Sequence, residues 1–241
     1  MPSTSRWLYP LALIIILVCV SYAYYLEILK TKDIINPLLS VFGTFFGATF
    51  AFRLNEEKER KKLLDMRRES LNRALFVLVR QINAIHQLSQ LYIKYQTPFE
   101  RAFNFPAMKP PLYEDLIFSF TELDFLLDSD NPGLLIKIAV EQERFHQAIE
   151  SFRLRNEFYV QEIQPAIEKI KLNGKIISSN EAEKLLGERL FGSAINLANS
   201  VWEHITYSNN SIPEVHNELL IQAKLMFPGK KFITYEIPVS N

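Results

Sequence analysis

The chain has 241 residues, of which 48% are hydrophobic, and its 27 Lys and Arg residues are balanced by 27 Asp and Glu residues. Its aromatic content excludes intrinsic disorder, and its single cysteine, Cys19, excludes a disulfide scaffold or a cysteine-based zinc site. A chain with no net charge also lacks the basic excess that is typical of nucleic-acid-binding proteins.

Two long apolar segments stand near the N-terminus. Neither residues 7–26 nor residues 34–52 contain a charged side chain. A helix rises about 1.5 Å per residue, so each segment is long enough to cross the roughly 30 Å hydrocarbon core of a bilayer. Residues 27–33 are too few for anything but a turn, and we therefore predict a two-helix transmembrane hairpin over residues 1–52.

A cleavable signal peptide is the alternative interpretation of the first segment. However, the apolar stretch is longer than the usual range of about 7–15 residues, and Tyr22-Ala23-Tyr24 is a poor cleavage site. Basic residues are concentrated after the second segment, while the turn holds only Lys30 and Lys32, each offset by an acidic neighbour. The positive-inside rule then places both termini in the cytoplasm.

The second apolar segment has two different faces. Small or weakly polar residues fall on one side of a helix, namely Ser40, Gly43, Thr44, Gly47 and Ala51, and Phe and Leu occupy the other side. Gly43-x-x-x-Gly47-x-x-x-Ala51 is the pattern that lets two helix backbones approach closely. This small-residue face packs either on the first helix of the same chain or on hairpins of other chains, where a ring of hairpins would line a water path.

A basic stretch follows the second apolar segment. Between residues 53 and 68, seven basic side chains outnumber four acidic ones. The basic residues, termed the collar, are Arg53, Lys58, Arg60, Lys61, Lys62, Arg67 and Arg68. We expect the collar to meet anionic lipid headgroups, although the spacing of Glu57 and Lys61 also indicates a solvated helix face with ion pairs.

A long helix is predicted from residue 54 to about residue 95, where no Pro or Gly interrupts the chain. Apolar residues recur at three- and four-residue steps, which is the pattern of a heptad seam. The seam consists of Leu64, Leu71, Leu75, Leu78, Ile82 and Ile85, followed by Tyr92. Residues 53–96 are therefore predicted to form a stalk, whose seam is covered by a second helix or by another chain.

Residues 97–241 are predicted to form a cytoplasmic bundle of about five helices. Four prolines and several phenylalanines make residues 97–111 a loop that packs against the bundle. Helices are predicted over residues 113–127 and from residue 134 to about residue 171, with a kink or break at Pro165.

The C-terminal part continues this helical pattern. Ser178-x-x-Glu181 is a capping box that opens a helix running to about residue 207. Ser211 is predicted to cap a last helix over residues 213–227, and residues 232–237 to form a tail that docks on the bundle. The predicted fold class is thus all-α, with a transmembrane hairpin, a helical stalk and a cytoplasmic bundle.

No motif for enzymatic chemistry stands out in the sequence. It lacks the glycine-rich loops that bind nucleotides and the strained turn that carries a nucleophilic serine in hydrolases. Glu143-x-x-His146 is the one metal-like motif, but a di-iron bundle needs a second copy and two further carboxylates. We therefore expect an ordinary helix face there, with no enzymatic activity, no cofactor and no small-molecule substrate.

Residues 1–95 also resemble a known bacterial family. A Gly/Ala/Phe helix over residues 43–52 is followed by the charged stretch 53–62 and by Asn72-Arg-Ala-Leu-Phe76. This order resembles the two-transmembrane effectors of retron anti-phage defence systems. The resemblance implies the bacterial inner membrane as the location, and a reverse transcriptase with its DNA–RNA product as the partners that restrain the effector until phage interference releases it. It carries over no catalytic residue.

Two functions are consistent with these features. In the first, a non-enzymatic effector forms homo-oligomers through the seam and the small-residue face and disrupts the lipid bilayer, which arrests or kills the infected cell. In the second, the hairpin is a passive anchor for a helical adaptor that tethers a partner complex.

Overall fold

The computed structural model describes residues 31–109, 113–170 and 178–235, together with Val18, Ser21, Tyr22 and Tyr25, and for residues 31–35 and 38 it describes the backbone alone. These residues are all-helical, with no β-strand in any of the described ranges. The α-helices are α1 (Thr31–Tyr92), α2 (Gly133–Phe158), α3 (Gln164–Lys169), α4 (Ser179–Leu186) and α5 (Glu188–Met226). Two π-helical turns (Glu100–Asn104 and Tyr159–Ile163) and a 3₁₀ helix (Phe120–Asp128) complete the set.

The chain divides into two compact units, Met1–Leu63 and Leu64–Asn241, termed the N-terminal unit and the body. The division falls within α1 and therefore differs from the predicted domain limits after residues 52 and 96. α1 begins at Thr31, inside the stretch predicted to be a turn.

Most of the first predicted membrane span, residues 7–26, lies outside the described residues. Within the described part of the chain, no helix combines the length and the apolarity that a membrane crossing requires.

The body is built around one large apolar core. Buried side chains converge on it from α1, residues 113–119 (termed the connecting segment), the 3₁₀ helix, α2 and α5. The largest of these fully buried side chains are Tyr92, Phe105, Phe145 and Phe152. Full burial of an apolar side chain stabilises a fold by about 1.5–3 kcal/mol, so these aromatic residues are major contributors to the stability of the body.

Most of the predicted seam lies inside this core. Leu71, Leu75, Leu78, Ile82 and Ile85 are each at most 5% exposed, whereas Leu64 is 39% exposed. Apolar side chains of the body cover the five buried residues within a single chain. The C-terminal part of the predicted stalk is therefore an integral helix of the body.

The helix predicted over residues 113–127 is found only in part, because residues 113–119 are not helical and residues 120–127 belong to the 3₁₀ helix. Two buried glutamines hold the non-helical backbone. Gln81 and Gln142 each donate from Nε2 to the Leu116 carbonyl, over 3.2 and 3.1 Å, and the Phe118 N–H donates to Gln142 Oε1 over 3.2 Å. These side-chain bonds replace the backbone bonds of a helix, which is why apolar periodicity alone gave the wrong structure.

The predicted capping box at the start of α4 is confirmed. The Glu181 N–H donates to Ser178 Oγ over 3.3 Å, and the Ser178 N–H donates to the Glu181 carboxylate over 2.8 Å. The helix ends earlier than predicted, at Leu186. Gly187 follows with a φ of 80°, a backbone conformation that glycine adopts without the steric cost other residues incur, and it separates α4 from α5.

The predicted start of a new helix at Ser211 is wrong. α5 runs without a break through Pro213. The proline removes one backbone hydrogen bond, but neighbouring side chains on both sides of it are buried in the body and hold the helix in place; they are Ser208, Ile212, Val215 and His216. Ser211 does not cap a helix, since its hydroxyl donates to the Glu141 carboxylate over 2.7 Å.

Two further predictions are confirmed for the described residues. A π-helical turn separates α2 from α3, whose first turn contains Pro165, so the predicted interruption occurs at that site. The C-terminal tail docks on the core through Phe232, Ile233 and Tyr235, and the Ile233 N–H donates to Asn72 Oδ1 over 3.2 Å. Residues 236–237 of the predicted tail and the predicted helix end at about residue 171 lie outside the described residues.

One buried arginine ties the packed loop to α2. Arg155 is 2% exposed, and its guanidinium donates to four backbone carbonyls over 2.6–3.3 Å, those of Arg101, Ala102, Phe105 and Pro106. Burial lowers the pKa of Arg155, because removal from water disfavours the charged form. Carbonyl dipoles at the end of the π-helical turn thus stabilise a charge that is out of water.

Replacement of this arginine by lysine is expected to destabilise the body. Arg155→Lys keeps the charge but loses the planar set of donors that reaches several carbonyls at once, so the free energy of unfolding falls by about 2–4 kcal/mol. Urea unfolding followed by circular dichroism measures this change. Arg153→Lys, at an exposed pair two residues earlier, is the matched control and costs about 0.5 kcal/mol or less. Equal losses in the two variants would contradict the role of Arg155.

His216 makes the body sensitive to acid. Burial in α5 lowers the pKa of the imidazole below its usual value of 6.5. Unfolding at acid pH therefore takes up a proton, so the contribution of neutral His216 to the stability is fully present above pH 6.5 and is lost as the pH falls through the lowered pKa. The urea midpoint of the wild type should fall more between pH 7.5 and pH 5.5 than that of His216→Gln. His204→Gln, at a half-buried histidine of the same helix, should keep the wild-type slope.

Candidate interaction surfaces

The N-terminal unit presents large apolar side chains that no other described residue covers. Phe45, Phe50 and Phe52 are 53%, 66% and 72% exposed. The other exposed apolar side chains of this stretch are Leu39, Val41, Phe42, Phe46 and Leu54. Leaving apolar surface in water costs about 25 cal/mol per Å², and contiguous exposed patches of this kind mark sites for a membrane or a protein partner.

The predicted small-residue face lies on the same helix. Ser40, Gly43, Thr44, Gly47 and Ala51 are all exposed. A Cβ atom added at Gly43 or Gly47 would meet no atom within 4 Å among the described residues, so the helix backbone is open to a close neighbour there. The structure brings these five residues to one helix but does not place another described segment against them.

Two threonine hydroxyls of this helix bond to their own backbone. Thr44 and Thr49 each donate to the carbonyl four residues earlier, over 2.8 Å. Because the hydroxyl already has an acceptor, each threonine presents mainly its methyl group to the surroundings. The helix between Leu39 and Phe52 is therefore compatible with an apolar environment despite its polar residue types.

The collar is divided between the two units. In the N-terminal unit, Lys61 pairs with Glu57 over 2.9 Å, and this hydrogen bond, with the charge of Lys61, lowers the pKa of Glu57. In the body, Arg68 pairs with Asp65, and Arg67 lies 5.2 Å from the centre of the Phe125 ring. The other collar residues form no ion pair within the described part of the chain; they are Arg53, Lys58, Arg60 and Lys62.

A surface groove of about 350 Å³ lies in the body between α1 and the start of the 3₁₀ helix. Its floor is apolar, and two ion pairs stand beside it, Arg73 with Glu122 and Arg80 with Asp115. The Arg80 hydrogen bond lowers the pKa of Asp115. Phe76, which is half exposed, lines the groove and stacks with Arg80. Such a mixture suits a peptide or protein side chain better than a polyanion, because the arginine charges are already paired.

The metal-like motif on α2 has another role in the described structure. His146 shares a hydrogen bond of 2.9 Å with the amide of Gln142, which also holds the extended backbone of the connecting segment. Among the described residues, no group of three or more potential metal ligands comes together. Glu143 and His146 are both exposed on α2, and His146 bonds the buried Gln142.

Sequence reasoning missed the groove and the buried polar groups of the body. The groove forms between residues that are about 40–50 positions apart in sequence, so no local pattern marks it. No local pattern marks the role of Glu141 either, because its buried carboxylate accepts from Arg144 on its own helix and from Ser211 on α5, 70 positions away. The only signal in the sequence was that Glu141 is a polar residue on the apolar face of a helix. Apolar periodicity predicts a hydrophobic residue at such a position.

No protein family, curated protein or solved structure matches this chain.

Contact between small-residue faces of two copies has a direct test. In a Cys19→Ser background, Gly47→Cys is expected to form a disulfide-linked dimer in membranes treated with a mild oxidant, because close backbones bring the two sulfurs within bonding distance. Phe45→Cys, on the opposite side of the helix, is the matched control and should stay monomeric. Non-reducing electrophoresis measures both variants. If both cysteine variants stay monomeric, the small-residue face packs within one chain and not between two copies.

Proposed function

We propose that the protein is a non-enzymatic effector of the bacterial inner membrane, which disrupts the bilayer when partner proteins release it. In this proposal the N-terminal unit crosses the membrane twice, with both termini in the cytoplasm, and several copies assemble through the small-residue face. Membrane disruption then arrests or kills the cell. The proposal extends to anti-phage defence because the first 95 residues resemble retron effectors.

The observation that carries the proposal is the exposed apolar stretch of α1. Phenylalanine and leucine side chains from Leu39 to Phe52 are exposed on the described part of the chain, and no charged side chain interrupts them. A water-soluble protein would bury such a surface in its own core or against a subunit. The chargeless sequence of residues 7–26 supports the same environment for a second helix.

The open glycines support assembly as opposed to simple anchoring. In a bilayer, apolar side chains gain little by leaving lipid for another helix, so association depends on close packing and small residues. Gly43 and Gly47 offer such a surface, with no described atom above them. A passive anchor would use this surface only to pack its own two helices together.

The body would receive the signal in this proposal. Its core is closed within one chain, so its surface is available for partners without exposing the seam. By resemblance, those partners are a reverse transcriptase and its DNA–RNA product. The groove beside Phe76 is where we expect the protein component to bind, because its arginines are paired with carboxylates.

The second candidate function is a passive membrane-anchored adaptor, and the groove favours it as well. A partner held at the groove would be tethered to the membrane without any activity of the hairpin. In that case, an unrelated two-helix hairpin in place of residues 1–52 would preserve function.

Loss of membrane potential is the decisive measurement for the effector. Expression of the full chain alone is expected to depolarise bacterial cells, as reported by a voltage-sensitive dye. Gly43→Leu combined with Gly47→Leu should weaken depolarisation about tenfold, because two bulky side chains keep the helices apart at a cost above about 1.4 kcal/mol.

Phe45→Leu combined with Phe52→Leu is the matched control, since it keeps an apolar surface on the other side of the helix. This variant should depolarise cells as the wild type does. Absence of depolarisation by the wild type, or full activity of the double leucine variant at the glycines, contradicts the effector. If a chain with an unrelated hairpin in place of residues 1–52 keeps its function, the result supports the passive adaptor and not the effector.

A further inference from the structure

The connecting segment contains a short strand-like stretch. Its side chains alternate between the core and the solvent, since Leu116 and Phe118 are 1% and 5% exposed and Ile117 between them is 57% exposed. Ser119, at the end of the segment, has a φ of −86° and a ψ of 91°, which are values of extended backbone. Alternation with a period of two residues, together with these angles, indicates extended backbone over residues 116–119.

The side-chain amide of Gln142 occupies one edge of this stretch. Its Nε2 donates to the Leu116 carbonyl over 3.1 Å, and its Oε1 accepts from the Phe118 N–H over 3.2 Å, as the backbone of a neighbouring strand would. In extended backbone, the N–H and C=O groups of successive residues point to opposite edges. The N–H and C=O of Ile117 therefore point away from Gln142, and neither group has a hydrogen-bond partner among the described residues.

This open edge forms one wall of the groove of about 350 Å³, and α1 forms the other wall. The residues whose backbone groups share the open orientation all line the groove; they are Asp115, Ile117 and Ser119. Two ion pairs cross the groove, Arg80 with Asp115 and Arg73 with Glu122. Arg73 and Arg80 are about 10 Å apart along the helix axis, which is the length of about three residues of extended chain. The space between the ion pairs therefore accommodates a peptide of about three residues in extended conformation.

Acidic side chains predominate around the groove. Arg73 lies between two carboxylates, that of Glu69 at 2.9 Å and that of Glu122 at 3.2 Å, whereas Arg80 pairs with one. Glu114 is exposed beside the groove and forms no ion pair within the described part of the chain. Residues 113–132, which include the wall of the groove, contain six acidic residues and no basic one. This negative surplus favours a basic ligand, because complementary charge attracts and orients a binding partner.

We propose that the groove binds a basic, extended peptide segment of a partner protein by strand addition. The central residue of the segment exchanges both backbone hydrogen bonds with Ile117. Because opposite residues of paired strands point to the same face, its side chain lies outward beside that of Ile117, and its two neighbours place small apolar side chains on the floor formed by Ala74 and Val77. Basic residues beyond them meet the carboxylates. The proposal rests on the proposed function only in that the body receives a partner.

Fluorescence anisotropy of labelled synthetic peptides tests the strand addition, with the full chain in micelles of a neutral detergent. The peptide Lys-Lys-Val-Thr-Val-Lys-Lys, with both ends blocked, is expected to bind with a Kd below about 0.1 mM. The same peptide N-methylated at the central threonine keeps every side chain but lacks the N–H that donates to the Ile117 carbonyl, so it should bind about tenfold more weakly. Glu-Glu-Val-Thr-Val-Glu-Glu, which reverses the charge, should also bind about tenfold more weakly at low ionic strength.

Variants of the chain locate the bound peptide. Ile117→Pro removes the N–H of the open edge and should weaken binding of the basic peptide about tenfold, with circular dichroism as the check on folding. Glu114→Lys should weaken it about threefold, whereas the matched control Glu143→Lys, on the exposed face of α2, should bind as the wild type does.

Binding of none of the peptides would overturn the proposal, and so would equal affinity of the N-methylated or the acidic peptide for the wild-type chain. These two comparisons need no variant, so they decide the question even if Ile117→Pro fails to fold. The binding assay and the depolarisation assay share no readout. A chain that binds the basic peptide but does not depolarise cells would contradict the membrane effector alone.

Discussion

The apolar core of the body forms against one face of α1. Leucine and isoleucine side chains from Leu71 to Ile85 are buried there, and Tyr92 completes the row at the end of the helix. Other features of the body follow from this burial. Gln81 lies on the same face and fixes the extended connecting segment, and Asn72 at its edge holds the C-terminal tail. A long helix that looks independent in sequence is thus the element on which the other parts of the body assemble.

The N-terminal unit presents the opposite situation, because its apolar side chains find no cover among the described residues. The two units differ in what packs against the apolar side chains of α1. In the body, leucines at heptad spacing meet the aromatic side chains of α2 and α5, whereas the phenylalanines of residues 42–52 alternate with glycines that are open to a neighbour. This contrast within one helix is the basis for the proposal that the N-terminal unit acts on the membrane and that the body regulates it.

Buried polar groups distinguish the body from a simple apolar bundle. The glutamine network, the Glu141–Ser211 bond and the bonds of Arg155 to backbone carbonyls each place polar atoms where water is excluded, and such groups are costly unless they are bonded. Most of them bond to backbone N–H and C=O groups in irregular segments. In a helix, those backbone groups would bond to one another. They therefore determine where the chain leaves helical structure.

The sequence by itself determined those features that depend on neighbours a few residues apart. Apolar periodicity indicated the all-helical fold and the buried face of α1, and the Ser178–Glu181 spacing defined the start of α4, since both depend on local geometry. The sequence also located the exposed glycine and phenylalanine faces, but their role in the membrane stays a prediction. Tertiary structure alone decided that α5 continues through Pro213, that residues 113–119 are not helical, and that Arg155 is buried against backbone carbonyls of residues 101–106. In each case the deciding contacts join residues far apart in the chain, and their burial or hydrogen bonds outweigh the local preference for turn, helix or solvent.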